Sequence, residues 1–424
     1  MARMNRIARV LLLGGLALLQ SCMFKTLHDE LGAMQRVQVL TGQILDQGRP
    51  ETNVLLILYR QTPDGLRLVH GTLLDSAVGQ FVVEVPTGTF YLFAFEDLDN
   101  DLAWNGKEPS GCYGAPDSIV VTDSSPVALS GFDISLSASA PRPGIFPETI
   151  SLSADALGSS IVKTGQVVGL DDPMLSQDYG NTGYWAPLTF VREVGICLLF
   201  REPYDSAKVP VLFVHGARGT PHGWKDIVDR LDPDRFQPWF YYYPSGLALD
   251  KNAAALNWMV TELHRQYGFR ELHVVAHSMG GLVARDFILK NAYESRLDVV
   301  RQFISISSPW NGHKMAVKGL QQAPAAVPSW HDMVPDSLFI RSIFARRLPE
   351  SVTYHLLFSY RGDCNLFLEN NDGAVELSSE LDMRAQREAR RIYGYNEDHG
   401  SILTSAEAIA QLVRLLSAPA GSPH

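Results

Sequence analysis

Ser278 is the residue whose surroundings best fit covalent chemistry. It lies in Glu271–Arg285, ELHVVAHSMGGLVAR: a short apolar run, a turn bounded by small residues, then small and aliphatic residues at helical spacing. That pattern predicts a strand, a sharp turn and a helix. A serine hydroxyl is a weak nucleophile in water. It needs a base to take its proton and backbone N–H groups to receive the charge that develops on the attacked oxygen. A sharp turn exposes the hydroxyl to both. Folding the backbone back on itself demands small side chains two positions either side of the serine, where Ala276 and Gly280 stand.

A second constellation is the run DLDNDLAWNGKE, residues 97–108. Carboxylates at positions one, three, five and twelve (Asp97, Asp99, Asp101, Glu108), with Asn105 at nine, have the ligand spacing of a calcium-binding loop. Leu102 occupies the sixth position, where glycine ordinarily permits the turn, and the segment before the loop reads as a strand rather than a helix. A structural calcium site and a solvated acidic turn both stay open. Neither gives a metal a part in catalysis.

These residues must be positioned by a large chain. At 424 residues, 46% hydrophobic and 19% charged, it has enough apolar surface for a substantial core and for two domains. A net charge of −10 with no basic block argues against nucleic acid as a partner. Residues 37–140 contain VQVLTGQIL, NVLLILYR, LRLVHGTLL, QFVVEVP, TFYLFAFED and DSIVVT, separated by Gly, Pro and Asp. Short strands with turn punctuation and no helical period predict a small all-β sandwich. Residues 141–190 turn to Ser, Ala, Pro, Gly and Asp and read as a linker with irregular backbone. From 191 to 418 buried-strand runs such as PVLFV, FYYY, LHVVA and QFISIS alternate with helical patterns. That alternation requires a mostly parallel sheet covered by helices, an α/β fold. The four cysteines, Cys22, Cys112, Cys197 and Cys364, leave any disulfide pairing undetermined.

The amino terminus has its own pattern. Arg3, Arg6 and Arg9 precede an apolar core from Val10 to Leu19, too short to span a bilayer, which marks residues 1–21 as a targeting segment. The sequence Leu19-Gln20-Ser21-Cys22 resembles the bacterial lipobox. That resemblance implies cleavage before Cys22, its acylation, and a lipid anchor on a tether of residues 22–36. Met23 in place of Asp points, by the usual sorting rule, to the outer membrane of a Gram-negative cell envelope.

Around Ser278 the chain resembles the α/β-hydrolase superfamily, and within it the lipases and esterases with an Ala-His-Ser-Met-Gly elbow; Ala276 departs from the usual glycine. The likeness spans roughly Val209 to Ala418. His215-Gly216-Ala217-Arg218-Gly219 matches the HG-x-x-G loop of these enzymes. It implies an oxyanion hole made by the backbone amides of Ala217 and Met279. Asp372, in Asn-Asn-Asp-Gly-Ala-Val, resembles the acid-bearing loop, with Asp363 as competitor. His399, before the carboxy-terminal helix, stands where the superfamily places its general base. The order Ser278, Asp372, His399 is that of these hydrolases. His215 and His277 are assigned no catalytic part, and the stretch from Trp310 to about Ser337 lies where lipases carry a cap or lid. The amino-terminal strands resemble transthyretin-like and carboxypeptidase-regulatory sandwich modules. Together these resemblances imply a membrane-anchored serine hydrolase acting on acyl or lipid esters without a cofactor, with some likeness to GPI inositol-deacylase-like enzymes. The rival expectation is a surface scaffold whose hydrolase domain is silent.

Overall fold

The computed structural model describes residues 24–32, 38–45, 53–74, 80–113, 118–122, 124–125, 128–138, 143–152, 157–158, 161–362 and 370–418. They fall into two units: Leu31–Thr164, and Gly165–His424 together with the residues up to Glu30. Cys22, Asp363 and Cys364 lie outside the described residues.

The first unit is built from strands β1 (Gln38–Leu45), β2 (Asn53–Thr62), β3 (Gly65–Leu74), β4 (Gln80–Val85), β5 (Gly88–Asp97), β6 (Ala103–Trp104), β7 (Ser110–Tyr113), β8 (Ile119–Val121), β9 (Ala128–Ser130), β10 (Ile134–Ser135), β11 (Ile150–Ser151) and β12 (Leu157–Gly158). One sheet places β1 beside β4, β9 and β10; another runs β12-β3-β2-β5-β7, with β8 also on β5. Leu40, Phe81 and Val83 from the first sheet meet Leu56, Leu58 and Leu92 from the second. Residues of opposite parity on β2, Leu55, Ile57 and Tyr59, pack with Phe93, Trp104 and Phe146. With both faces covered, β2 is a continuous apolar run instead of an alternating one.

Within 141–190, the described residues are not a linker. β11 and β12 add to the first unit, and the chain passes to the second within β13 (Val162–Val167). Helices Gln177–Trp185 and Pro187–Glu193 follow. The two-residue strands and the polar composition of QDYGNTGYW carry no period by which they could be recognised. Nor are residues 24–32 an open tether. They are helical, Leu27 is fully buried, and Phe24 packs edge-on against Trp185. The Glu30 carboxylate accepts from Leu188 N at 2.7 Å, Thr189 N at 3.2 Å and Thr189 Oγ1 at 2.6 Å. It satisfies amides of the first turn of Pro187–Glu193 that have no intrahelical acceptor, and its charge suits that helix end.

The second unit is an eight-stranded sheet of β13, β14 (Ile196–Phe200), β15 (Val209–Val214), β16 (Phe236–Tyr242), β17 (Leu272–His277), β18 (Val300–Ile306), β19 (Thr353–Ser359) and β20 (Arg391–Tyr395). Its order is β13-β14-β16-β15-β17-β18-β19-β20. β14 pairs antiparallel with β16; from β16 to β20 every pairing is parallel. β15 lies between β16 and β17: the connection from β15 to β16 runs one way across the sheet, and that from β16 to β17 runs back past β15. The crevice beyond its carboxyl end is where such sheets bind ligands. Helices Leu249–Tyr267 and Met279–Tyr293 pack on each other, the former closed by Gly268 in the left-handed region at φ 65°. Phe213 and Phe240 form a core with Ile409, Leu412 and Leu416 of the carboxy-terminal helix Ala406–Ser417. This is the α/β-hydrolase fold.

Between β18 and β19 the chain makes helices Lys314–Gln322, Pro328–Met333 and Leu338–Ile343. Arg285, on the helix after the elbow and only 1% exposed, clamps this excursion. Its Nε donates to Ile343 O at 2.8 Å, Nη2 to Arg346 O at 3.2 Å, and Nη1 and Nη2 fork onto Glu388 at 3.0 Å each. The guanidinium also lies 4.3 Å from the Phe344 ring centroid. A buried bidentate pair with further carbonyl acceptors at Nε and Nη2 is the arrangement that tolerates burial, and removing one partner strands the other charge. Arg285→Leu is expected to destabilise the second unit by about 3–5 kcal/mol. Glu388→Leu added to it restores part of the loss, as followed by denaturant unfolding.

Candidate active site

β17 ends at His277, and Ser278 takes φ 53°, ψ −133° before the helix Met279–Tyr293 begins. A non-glycine residue held at positive φ is strained, and the strain turns its side chain out of the strand-to-helix bend. The neighbouring backbone explains the small residues. A Cβ on Gly280 would lie 2.4 Å from both Val214 O and His215 O at the end of β15, and one on Gly216 would lie 2.8 Å from Ser278 Cβ. Close approach of the elbow helix to β15 therefore sets the demand at Gly280, and the His-Gly loop lies directly against the serine.

His399 meets Ser278 from the loop after β20. Its Nε2 is 2.8 Å from Ser278 Oγ and its Nδ1 is 2.5 Å from Asp372 Oδ2. The loop is fixed by His399 N donating to Asp372 O at 2.8 Å and by the Asp398 carboxylate, whose Oδ1 accepts from Gly400 N and Ser401 N. Asp372 has no exposed surface and accepts four hydrogen bonds, from Ala374 N, Val375 N, Ser359 Oγ and His399 Nδ1. Burial acts to raise its pKa, but the His399 contact and the Val375 and Ala374 amides outweigh it, and the carboxyl is held below its ordinary value. An ionised Asp372 requires the Nδ1–H tautomer of His399, which leaves Nε2 free to accept from Ser278. Three residues spread over 122 positions of sequence are thus brought into one line.

The two histidines without a catalytic assignment are both close by. His277 Nε2 donates to His399 O at 2.8 Å, and the two rings lie 4.8 Å apart. Burial first, and then the neighbouring His399, lower its pKa to about 3. His215 is stacked 4.3 Å from the Tyr243 ring, its Nδ1 2.8 Å from Gly216 O, and burial lowers its pKa to about 4. Both stay neutral near pH 7: His277 holds the His399 loop, His215 the His-Gly loop. Ala217 is exposed and lines the cleft beside Ser278. Met279 is the first residue of its helix, where an amide has no intrahelical acceptor.

The cleft at Ser278 and His399 has a volume of about 760 Å³. One wall comes from Leu170, Asp172, Pro173 and Gln177, within the stretch that composition alone assigned to a linker. Gln177 Nε2 donates to Arg218 O at 2.8 Å and so braces the His-Gly loop.

Glu380 was not legible in the sequence; only burial reveals it. It has no exposed surface, its Oε2 accepts from Ser359 N at 3.4 Å, and its carboxyl lies within hydrogen-bond reach of Asp372 and Ser307. Two carboxyl groups in contact bond only when one carries the proton. Burial first, then the charge of Asp372, raise the Glu380 pKa well above its ordinary value, so Glu380 carries it.

The acidic loop lies in the other unit. Asp97, Asp99 and Glu108 gather there, whereas Asp101 Oδ1 accepts from Ala103 N and Asn105 Oδ1 from Lys107 N. Of the five expected ligands, three converge: Asp97, Asp99 and Glu108. Cys112 and Cys197 lie in different units and are not joined by a disulfide.

Residues 247–339 match a family described as alpha/beta hydrolase of unknown function, DUF915. The match includes the elbow and agrees with the fold. Among solved structures, a Bacillus licheniformis lipase in mature form is similar at 19% identity and a TM-score of 0.41, covering 51% of this chain and 95% of that one. Aspergillus fumigatus lipase B gives 19%, 0.39, 51% and 55%, and a metagenomic carboxyl esterase 15%, 0.36, 50% and 77%. No curated protein matches the chain. The α/β-hydrolase assignment rests on the sheet and the elbow.

A group whose folded-state pKa is raised stabilises below its unfolded value and loses that contribution as pH climbs toward the folded one. Wild-type protein should therefore lose stability relative to Glu380→Gln from about pH 4.5 upward. The Tm difference between the two should widen steadily between pH 5 and pH 8; a constant difference would mean that Glu380 is ionised.

Proposed function

We propose that this protein is a serine hydrolase that cleaves carboxylic esters of acyl or lipid type through an acyl-enzyme and needs no cofactor for catalysis. The observation that carries the reading is the continuous line from Ser278 Oγ through the His399 ring to Asp372 Oδ2, at 2.8 and 2.5 Å. His399 takes the serine proton as Oγ attacks the ester carbonyl. The resulting imidazolium is stabilised by the buried Asp372 charge, and the same ring then delivers the proton to the leaving alcohol. In the second step His399 activates water, which attacks the acyl-serine and releases the acid. The amides of Ala217 and Met279 receive the oxyanion in both steps; loss of one such donor typically costs about 2–4 kcal/mol of transition-state stabilisation.

The protein acts, on this reading, from a membrane. Acylation of Cys22 would anchor the mature chain, in keeping with the lipobox-like residues before it, at the outer membrane of a Gram-negative envelope. Phe24, two residues on, is already packed on Trp185 of the second unit. Little slack chain would separate the acyl groups from the hydrolase body, and substrates within the membrane surface become the natural class.

Ser278→Ala should lower kcat/KM for p-nitrophenyl esters by about 10⁴-fold or more and abolish labelling by a fluorophosphonate. Wild-type protein that neither labels nor turns over any ester across a chain-length series would instead favour a silent scaffold.

A further inference from the structure

We propose that the loop Asp97–Glu108 of the first unit binds one calcium ion through the carboxylates of Asp97, Asp99 and Glu108. This is independent of the hydrolase reading, since every residue involved lies in Leu31–Thr164.

The ligand set is assembled by strands. Asp97 is the last residue of β5, and Glu108 stands just before β7, which pairs antiparallel with β5. The loop between them returns Asp99, so that one carboxylate oxygen from each of the three residues lies within 4.8 Å of the other two. Asp97 is 1% exposed and Glu108 7%, while Asp99 faces solvent and leaves a path for an ion to enter.

Proximity of carboxylates is common on protein surfaces and does not by itself make a site. What singles this cluster out is Glu108. Its Oε1 accepts from Leu98 N at 2.8 Å, but its Oε2 is buried and has no hydrogen-bond partner among the described residues. A buried carboxylate oxygen without a donor carries its desolvation penalty unrelieved. Among the described residues no lysine, arginine or histidine makes an ion pair with Asp97, Asp99 or Glu108. A cation bound between the three carboxylates would satisfy that oxygen and offset their mutual repulsion.

The chemistry of the donors selects the ion. All three ligands are hard carboxylate oxygens, with no imidazole or thiolate, which excludes a zinc-type site. Spacing at positions one, three and twelve of a twelve-residue loop is that of calcium loops, whose carboxylates bind one- or two-fold and leave other positions to carbonyls and water. The sixth position, filled here by Leu102 where glycine is usual, adopts φ 56°. The chain therefore makes the left-handed turn such a loop requires even without glycine. An ion held there would tie the end of β5 to the start of β7.

The test uses full-length protein stripped with a chelator. Trp104 sits within the loop, 5% exposed, its Nε1 donating to Glu108 O at 3.2 Å, close enough to sensitise a bound lanthanide. Terbium should give sensitised emission that saturates at one ion per chain and is displaced by calcium. Saturating calcium should raise the Tm of the chelated protein by about 5 °C or more. Asp99→Asn and Glu108→Gln should each weaken both responses at least tenfold in concentration. Asp99 is exposed, and glutamine keeps an acceptor for Leu98 N, so both variants remain folded. Trp104→Phe should remove the emission while keeping the calcium-dependent Tm shift. No Tm response to calcium, emission that calcium does not displace, or responses unchanged in both carboxylate variants would overturn the proposal.

Discussion

The site depends on one charge kept where water cannot reach it. Asp372 is fully buried, yet two backbone amides, the Ser359 hydroxyl and the His399 ring give it enough hydrogen bonds to stay ionised. Without that charge the tautomer of His399 would be undetermined, and its second nitrogen would have no reason to be the acceptor that faces Ser278. Low local polarity makes the charge effective and equally makes it expensive to hold unless every acceptor position is used. The loop 370–377 presents those amides through Ala374 and Val375.

The groups around this charge are arranged so that no other proton competes. Glu380 lies behind Asp372 as a neutral acid, and the chain Ser307, Ser359, Asp372 runs as successive hydroxyl contacts at 2.6 and 3.0 Å. His277 and His215 are kept neutral by burial and serve as donors that fix loops. Glu380, His277 and His215 thus lie close to Asp372 and His399, but among these five side chains it is the His399 ring that sits between a carboxylate and a hydroxyl. Environment, not residue type, divides the roles.

The two units manage buried charge differently. In the second, Arg285 and Glu388 neutralise one another and hold the excursion before β19 onto the elbow helix. In the first, the buried carboxylates of Asp97 and Glu108 accept backbone amides, and among the described residues no cationic side chain pairs with them.

The parts of the fold with a strong local period were legible in the sequence. The apolar runs of β15 to β19, the amphipathic helices and the elbow are set by neighbours in the chain, because side chains buried on both faces of a strand or along one helical stripe must all be apolar. The resemblance of the elbow, the Asp-Gly loop and the last histidine to one family then gave Ser278, Asp372 and His399 in order. What lacks a period stayed hidden: β13, the helices between 177 and 193, the helical segment at 24–32, and the wall of the cleft at Leu170–Gln177. So did Glu380 and the part played by His277, since nothing local distinguishes a glutamate that ends up buried from one that faces water.

The sequence by itself therefore determined which side chains are candidates for chemistry and on what kind of element each is carried, since backbone preference and burial pattern are properties of short stretches. Tertiary structure alone decided which carboxylates meet, which of two neighbouring acids keeps its proton, and which of five spaced ligands converge. Those outcomes depend on desolvation and on distances between residues far apart in the chain, and neither exists until the sheet has formed.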